Sequence, residues 1–524
     1  MTYPRPRPRV RLGAIVIGAF VAVAAAIGGA SAQNGSAFLP MQFTVSEFRD
    51  FARLETACAE PAASSFLCSD LEQVLTRIPT KGVDLFFTEA GEVAAAFAKF
   101  QKGQRLSNYN LDNADNLIPR DAAIPGGAVL LDGDYVAPEG ASGTWARLSE
   151  DEFEGRFTYV LDGLEVEKRV VVSNVSHSLR VEVRVQAPAD GAGDARSPET
   201  VQYAFPGIGR QQQPTIKIGQ AGSFSLNPIS QPVQNPSYVS LQSAANNTGN
   251  ATILRPDVGG DPLAAISLGD RRVAMQAPFE EGGATLAVQS YLGKNELVRY
   301  YQEEYADLPG LFTPNILGRM SLWVLIALEF IHSYVPSWGL SIIVLTLGFR
   351  VLVWPLITTQ TRSMFGMQKL QPEMKKLQTK YKDDREKLSQ EMMKLYKEAG
   401  VNPAGGCLPI LLQMPLFIIL WRVFVNFEFA EGFLWIPDLG TADPLYILPA
   451  LYVAVMLAQS WYSARGNPMM LRQAMIINVV FVFIIVNFPA GVLLYFVVSM
   501  LVQVFQYWLL SRGNPPPVPA GAKG

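Results

Sequence analysis

The chain has 524 residues, of which 49% are hydrophobic and 17% charged, long enough for several domains and too apolar to be disordered. Its 43 Lys plus Arg against 46 Asp plus Glu leave a net charge of −3, which argues against a generally basic nucleic-acid binder and for no direct nucleic-acid site. Two histidines, His177 and His332, and three cysteines, Cys58, Cys68 and Cys407, are too few for zinc clusters or iron–sulfur centres, so no metal and no cofactor is expected.

In chain order, an apolar stretch at Leu12 to Ala32 follows Arg5, Arg7, Arg9 and Arg11 with no acidic residue before it. That asymmetry predicts a cytoplasmic amino end and an exported region after it. Ala30-Ser31-Ala32 resembles a signal-peptidase site, but the apolar run of about 18 residues before it exceeds the usual cleavable core of about 7–15. An uncleaved signal-anchor span over residues 1–32 is favoured over cleavage at Ala32. Residues 33–310 hold 22 Lys plus Arg and 35 Asp plus Glu, a net of −13, which suits a translocated, water-exposed domain. Strand signals dominate there. In Arg180-Val181-Glu182-Val183-Arg184-Val185 the valines fall on one face and the charges on the other, and Phe157 to Val172 reads as a hairpin turning at Asp162-Gly163. A large all-β sandwich is expected. Cys58 and Cys68 lie in this oxidising compartment, spaced either for a short-loop disulfide or for two separate thiols.

The segment 311–336 contains Asn315 to Tyr334, apolar residues broken by Arg319, Glu329 and His332, which suits an amphipathic helix lying in the membrane interface. Five further apolar spans follow at about Trp338–Ile357, Cys407–Phe427, Tyr446–Tyr462, Ala474–Phe488 and Ala490–Leu510. With the first retained, the fold class is an α-helical polytopic membrane protein of six spans with a large exported all-β domain. Charge placement gives the topology. Arg362–Lys397 holds ten basic and five acidic residues, the loop with Arg465 and Arg472 is purely basic, and Glu428–Asp443 has four acids and no base. The first two are expected inside and the third outside, which leaves both termini cytoplasmic. The fifth span, of about 16 residues, reaches about 24 Å against a hydrocarbon thickness of about 30 Å. Phe488-Pro489-Ala490-Gly491 then reads as a tight reversal, Pro489 ending one helix and Gly491 permitting unusual backbone angles.

Arg350 is the most informative residue, because Ser341 to Pro355 around it is otherwise almost wholly apolar. An arginine at a helix centre costs about 2.5–3.5 kcal/mol on insertion scales, so one retained there faces water or a partner. Thr346 and Trp354, four residues to either side, extend a polar stripe with one fixed positive charge. The alternative is snorkelling to the cytoplasmic interface. Gln413, between Pro409 and Pro415, and Tyr495, Ser499 and Gln503 at four-residue spacing add polar faces on two further spans. Together they read as a wet groove, or else as helix–helix hydrogen bonding. Arg422 is read as an anchor near the outer interface. Between the second and third spans, residues 362–400 read as a cytoplasmic helical hairpin turning at Lys380 to Asp384, with Pro372 interrupting its first helix. Met364, Met367, Met374, Met392 and Met393 offer an adaptable apolar face to clients or pack the two helices together, and the basic face attracts anionic lipid.

Gly339-Leu340-Ser341-Ile342-Ile343 leading to Arg350, Ser389-Gln390-Glu391-Met392-Met393-Lys394-Leu395-Tyr396, Asn402-Pro403-Ala404-Gly405-Gly406-Cys407-Leu408-Pro409 with Gln413-Met414-Pro415, and Phe488-Pro489-Ala490-Gly491 with Leu494-Tyr495 resemble bacterial YidC membrane protein insertases. The resemblance is strong over about Asn315 to Leu510 and architectural over the exported region. It implies a β-supersandwich similar to galactose mutarotase at 33–310, a five-helix insertase core at 337–511, a short tail at 512–524, and a groove open to the cytoplasm and inner leaflet. On that reading Arg350 lures acidic client stretches, Thr346 and Gln413 help hydrate the groove, and Tyr495, Ser499 and Trp354 complete its lining. The implied partners are nascent inner-membrane proteins, the lipid bilayer, the Sec translocon and, weakly through cytoplasmic loops, the ribosome; insertion proceeds alone or with Sec, and without nucleotide. This chain departs from the family at Ile477-Asn478, where a proline is usual, at Phe496, where Tyr or Trp is common, and in a tail whose basic residues after Ser511 are Arg512 and Lys523. Two other readings compete. A secondary transporter lacks the expected repeated halves, and an anchored sugar enzyme lacks a convergent acid and base. The chain is read as non-enzymatic.

Overall fold

The computed structural model describes residues 38–513 except 61–64, 100–105, 107–108, 114, 189–196, 210–213, 221–222, 227–230, 244–248, 270, 383, 401–407, 430 and 464–467. The signal-anchor expectation at 1–32, the question of Ala32, Asn402 to Cys407 and the tail beyond Gly513 lie outside the described residues. The chain divides into two compact units, one of Asn34–Arg319 with Val425–Glu428 and the other of Met1–Gln33, Met320–Phe424 and Phe429–Gly524.

Within the first unit the described residues form three antiparallel sheets. A four-stranded sheet runs β1 (Met41–Thr44), β2 (Val74–Pro79), β3 (Val83–Phe87), β4 (Val93–Ala98). A six-stranded sheet runs β14 (Val233–Gln234), β17 (Ala264–Ser267), β18 (Val273–Pro278), β11 (Thr200–Phe205), β5 (Ala128–Leu131), β6 (Asp134–Tyr135). A nine-stranded sheet runs β13 (Ser223–Leu226), β12 (Thr215–Gln220), β15 (Tyr238–Gln242), β16 (Asn250–Pro256), β19 (Gly283–Lys294), β10 (Ser178–Gln186), β9 (Leu164–Ser173), β8 (Glu152–Leu161), β7 (Glu139–Ser149).

The alternation read from the sequence sets these faces. In β9, Leu164, Val166, Val170 and Val172 are buried while Glu165, Glu167 and Arg169 are exposed, and Val181, Val183 and Val185 of β10 point the same way. The β8–β9 turn needs two positive φ angles, which Asp162 (50°) and Gly163 (84°) supply. The main core packs Val166, Val172, Val183 and Leu286 of the nine-stranded sheet with Val129, Tyr203 and Met275 of the six-stranded sheet and Leu85 and Val93 of the four-stranded one. The other face of the four-stranded sheet is covered by α1 (Phe51–Cys58), whose Leu54 joins Phe86, Phe97 and Tyr109. Cys58 is bonded to Cys68, with Cα atoms 5.2 Å apart, so the disulfide alternative is the one adopted. On the far side of the nine-stranded sheet, α2 (Leu297–Gln302) brings Tyr300 against Tyr291 and Tyr305. From α2, the buried Arg299 donates from Nε to Asn426 Oδ1 at 2.9 Å and from Nη2 to the Lys99 carbonyl at 3.3 Å. Gln302 and Glu428 exchange hydrogen bonds, and Lys81 pairs with Glu428.

The remaining helices are α3 (Ile316–Tyr334), α4 (Trp338–Lys380), α5 (Arg385–Glu398), α6 (Leu408–Asn426), α7 (Ile447–Ser463), α8 (Pro468–Ile485) and α9 (Ala490–Gly513). Among the described residues three stretches are long and apolar enough to cross a membrane, Ile316–Tyr334, Trp338–Ser363 and Ala490–Arg512, and Gln413–Asn426 and Ile447–Ser460 are shorter apolar helices. The expected break at Pro372 is absent: α4 continues through Pro355 and Pro372 for 43 residues. A proline forfeits its own N–H and crowds one carbonyl, and the Met, Gln, Lys and Leu residues on both sides of Pro372 are good helix formers that carry the helix past it. Asp384 N donates to the Tyr381 carbonyl at 3.2 Å where the hairpin reverses, and the Asp384 side chain caps α5 by accepting from Lys387 N at 3.0 Å.

The turn into α9 also differs from expectation in its cause. Gly491 lies inside α9 rather than at a positive φ. A Cβ there would meet the Phe424 ring at 2.5 Å and the Leu439 carbonyl at 3.2 Å, so the glycine serves close packing. Ala490 N and Gly491 N donate to the Thr441 and Leu439 carbonyls at 2.6 and 2.9 Å, which ties this reversal to the preceding loop. Asp443 fixes that loop, accepting from Trp435 Nε1 at 3.0 Å, Leu445 N at 3.0 Å and Leu448 N at 2.7 Å.

Candidate functional site

The polar residues singled out on three spans converge along α4, α6 and α9. α9 packs along α4 and α7, and α7 against α8. Thr346 is 2% exposed and its Oγ1 donates to the Ile342 carbonyl of its own helix at 2.6 Å, which leaves the hydroxyl oxygen free to accept. One turn along α4, Arg350 is 8% exposed; its Nε has no hydrogen-bond partner, and among the described residues no carboxylate pairs with it. The Tyr495 hydroxyl is within electrostatic reach of the guanidinium. Across the gap, Gln413 of α6 donates from Nε2 to Tyr495 Oη at 3.0 Å. Ser499, one turn below Tyr495, is buried. Thr346, Arg350, Gln413, Tyr495 and Ser499 thus belong to one neighbourhood. Trp354 is half-buried and contributes through its carbonyl.

That carbonyl exposes a residue the sequence reading missed. Gln506, buried, donates from Nε2 to the Trp354 carbonyl at 3.1 Å and to Thr358 Oγ1 at 2.9 Å. The expected Gln503 is half-buried. At about 100° per residue, eight residues put Gln503 about 80° round the helix from Tyr495, whereas eleven residues, about three turns, return Gln506 to within about 20° of it. The eleven-residue spacing was the available signal.

Beside this polar seam is a cavity of about 60 Å³ lined by Leu328, Ile342, Phe349, Leu420 and Phe424 among others, with Thr346 and Tyr495 as its polar edges. An aromatic wall follows: Phe496 lies near-parallel to Phe417, with ring centres 5.8 Å apart, and Phe417 stacks on Phe488 at 5.6 Å. Phe496 therefore serves this wall by stacking. Asn478 donates to Ser460 Oγ at 2.9 Å, bridging α8 and α7. His332 stacks on Trp338 with ring centres 3.8 Å apart. In the hairpin, Tyr396 Oη donates to Met374 Sδ at 3.6 Å, so that methionine packs the two helices together, while Met392 is half-buried and Met393 is 60% exposed. The side chains of Met364 and Met367 lie outside the described residues. Among the described residues no cluster of His, Cys, Asp or Glu is arranged to hold a metal.

The family model of the 60Kd inner membrane protein matches residues 330–516, the stretch that carries this site. A membrane protein insertase YidC of Deinococcus radiodurans is 35% identical over 404 residues, covering 73% of this chain and 89% of that one. That of Cellvibrio japonicus is 44% identical over 189 residues, 35% of this chain and 34% of the relative. A crystal structure of an active YidC insertase with its first transmembrane domain resolved aligns with a TM-score of 0.49 at 20% identity, over 84% of this chain and 92% of that one. Because the Deinococcus radiodurans relative is 35% identical over 89% of its own length, the chain belongs to the YidC membrane protein insertases, a family that inserts proteins into membranes rather than catalysing a reaction.

Proposed function

We propose that the polar seam of α4, α6 and α9 is a client groove, in which Arg350 transiently attracts acidic stretches of an entering protein before its apolar helix partitions into lipid. The observation that carries this reading is the state of Arg350: buried, with an unpartnered Nε, in a helix otherwise apolar enough to span. A charge held in that state costs free energy unless a partner or water visits it. Tyr495, Gln413, Thr346 and Ser499 supply neutral donors and acceptors beside it, and Trp354 and the aromatic wall supply the apolar side. Burial of the client helix in lipid drives the step, so no nucleotide or cofactor is required.

On this reading the chain is an inner-membrane protein of six spans: an anchor at 1–32, an exported β-supersandwich at 33–310, an interfacial helix at 311–336, a five-helix core at 337–511 with a cytoplasmic hairpin at 362–400, and a cytoplasmic tail at 512–524. For the interfacial helix, Arg319, Glu329 and His332 interrupt an exposed apolar stripe of Ile316, Met320, Trp323, Phe330 and Tyr334, a surface suited to the headgroup boundary. Nascent inner-membrane proteins are the clients; the hairpin, through Met392, Met393 and its companions, meets them or anionic lipid, and the Sec translocon and, weakly, the ribosome are partners. The test replaces the native protein in depleted cells with wild type, Arg350→Ala or Arg350→Lys and scores single-span clients with and without acidic exported tails. Selective failure of Ala on acidic-tailed clients, with rescue by Lys, is expected. Normal insertion of every client by every variant overturns the groove.

A further inference from the structure

Gln360 of α4 is 4% exposed, and neither its Oε1 nor its Nε2 has a hydrogen-bond partner among the described residues. A buried primary amide left with both ends unmet is costly, and the substitution of an apolar side chain relieves that cost. Its place on the helix gives the amide a use. Gln360 is ten residues, about 15 Å, beyond Arg350, and eighteen residues, about five turns, beyond Ile342, so it shares the face of Ile342. That face, nearer the start of the helix, lines the cavity enclosed by α3, α4, α6 and Tyr495 of α9. The opposite flank of α4 is the one that Thr358 turns toward Gln506 of α9, where the hydrogen bonds are made. Gln360 is thus about 160° round α4 from the Thr358 contact and on the face that carries Ile342 at the cavity.

Resting on the insertase reading above, we propose that Gln360 is a binding site for the main chain of the client, holding a peptide group in passing through a paired acceptance and donation. A peptide bond presents one N–H and one C=O, the complement of Oε1 and Nε2. Arg350 selects charge; Gln360, being neutral and bidentate, takes a peptide group of any sequence and spares it the loss of water. An extended chain advances about 3.3 Å per residue, so a segment whose acidic side chain meets Arg350 lays its backbone on Gln360 about four to five residues away.

The test uses the full-length chain in depleted cells and, purified in detergent, for thermal unfolding. Gln360→Leu is expected to leave the unfolding midpoint unchanged or raised while lowering insertion about tenfold, the loss of one to two hydrogen bonds, equally for clients with neutral and with acidic tails. Gln360→Cys is expected to form disulfides with single cysteines in a stalled client, most strongly four to five residues from its acidic residue. Unaltered insertion by Gln360→Leu, a lowered midpoint that accounts for the loss, or no preferred crosslinking offset each overturns the proposal. Wild type and Arg350→Ala run in parallel: if Arg350→Ala fails on acidic-tailed clients, the insertase groove stands whatever Gln360 does, and if wild type inserts nothing, that reading falls first.

Discussion

The hydrogen bond from Gln413 Nε2 to Tyr495 Oη, 3.0 Å long, joins α6 to α9 at the proposed groove and allows a quantitative test. Tyr495→Phe removes the acceptor with little change of shape. Gln413 is half-buried, so its freed amide finds another partner and the cost is near the membrane-protein average of about 0.6 kcal/mol. Gln413→Leu is more severe, because it leaves a hydroxyl at a residue 3% exposed without its donor, at about 1–3 kcal/mol. The double variant loses both groups at once and should recover part of that sum, giving a coupling of about 1 kcal/mol. For a helical unit of this size about 1 kcal/mol corresponds to about 2–4 °C in unfolding midpoint. The assay is thermal unfolding of the four proteins in one detergent, followed by near-ultraviolet circular dichroism. Additive shifts, with no coupling beyond about 0.3 kcal/mol, would refute the idea that this bond holds α6 against α9.

Two further outcomes follow from the β unit. Arg299→Ala removes the hydrogen bonds to Asn426 Oδ1 and the Lys99 carbonyl and empties a fully buried site, so it should cost about 2–5 kcal/mol and be read as faster proteolysis near Val425–Glu428 in the full-length protein; protection equal to wild type would contradict the contacts described. Burial pushes the Glu92 carboxyl from 4.5 up to about 7, so between those values the folded chain holds a proton that the unfolded chain has released, and stability falls as pH rises through that window. Burial also pushes the Lys168 ammonium down from 10.5, so its effect runs the other way at alkaline pH, with stability rising toward 10.5. Glu92→Gln should flatten the acid-side fall in hydrogen-exchange protection of β8 and β9, and an unchanged slope would remove Glu92 as its source.

Much of the architecture is legible because burial imposes a period. Alternating apolar and polar residues set β8, β9 and β10, and Asp162-Gly163 is one of the few turn pairs their twist accepts. Apolar runs mark the helices, and Arg350 stands out because lipid makes a lone cation expensive. Less legible were features where one residue type, read alone, points to the wrong cause. Pro372 reads locally as a break, yet the residues on either side keep α4 whole. Gly491 reads as a backbone hinge, yet the Phe424 ring gives it its purpose.

By itself the sequence determined the division into a strand-rich acidic region and an apolar helical one, the presence of a charge inside a span, and membership of an insertase family, because hydropathy, period and motif are properties of consecutive residues. Tertiary structure alone decided that Cys58 and Cys68 are joined, that Gln413 reaches Tyr495, that Gln506 rather than Gln503 meets α4, and that Gln360 is left unmet. Hydrogen bonds are short and directional, so which groups satisfy one another is settled only when helices distant in sequence are packed at a definite rotation.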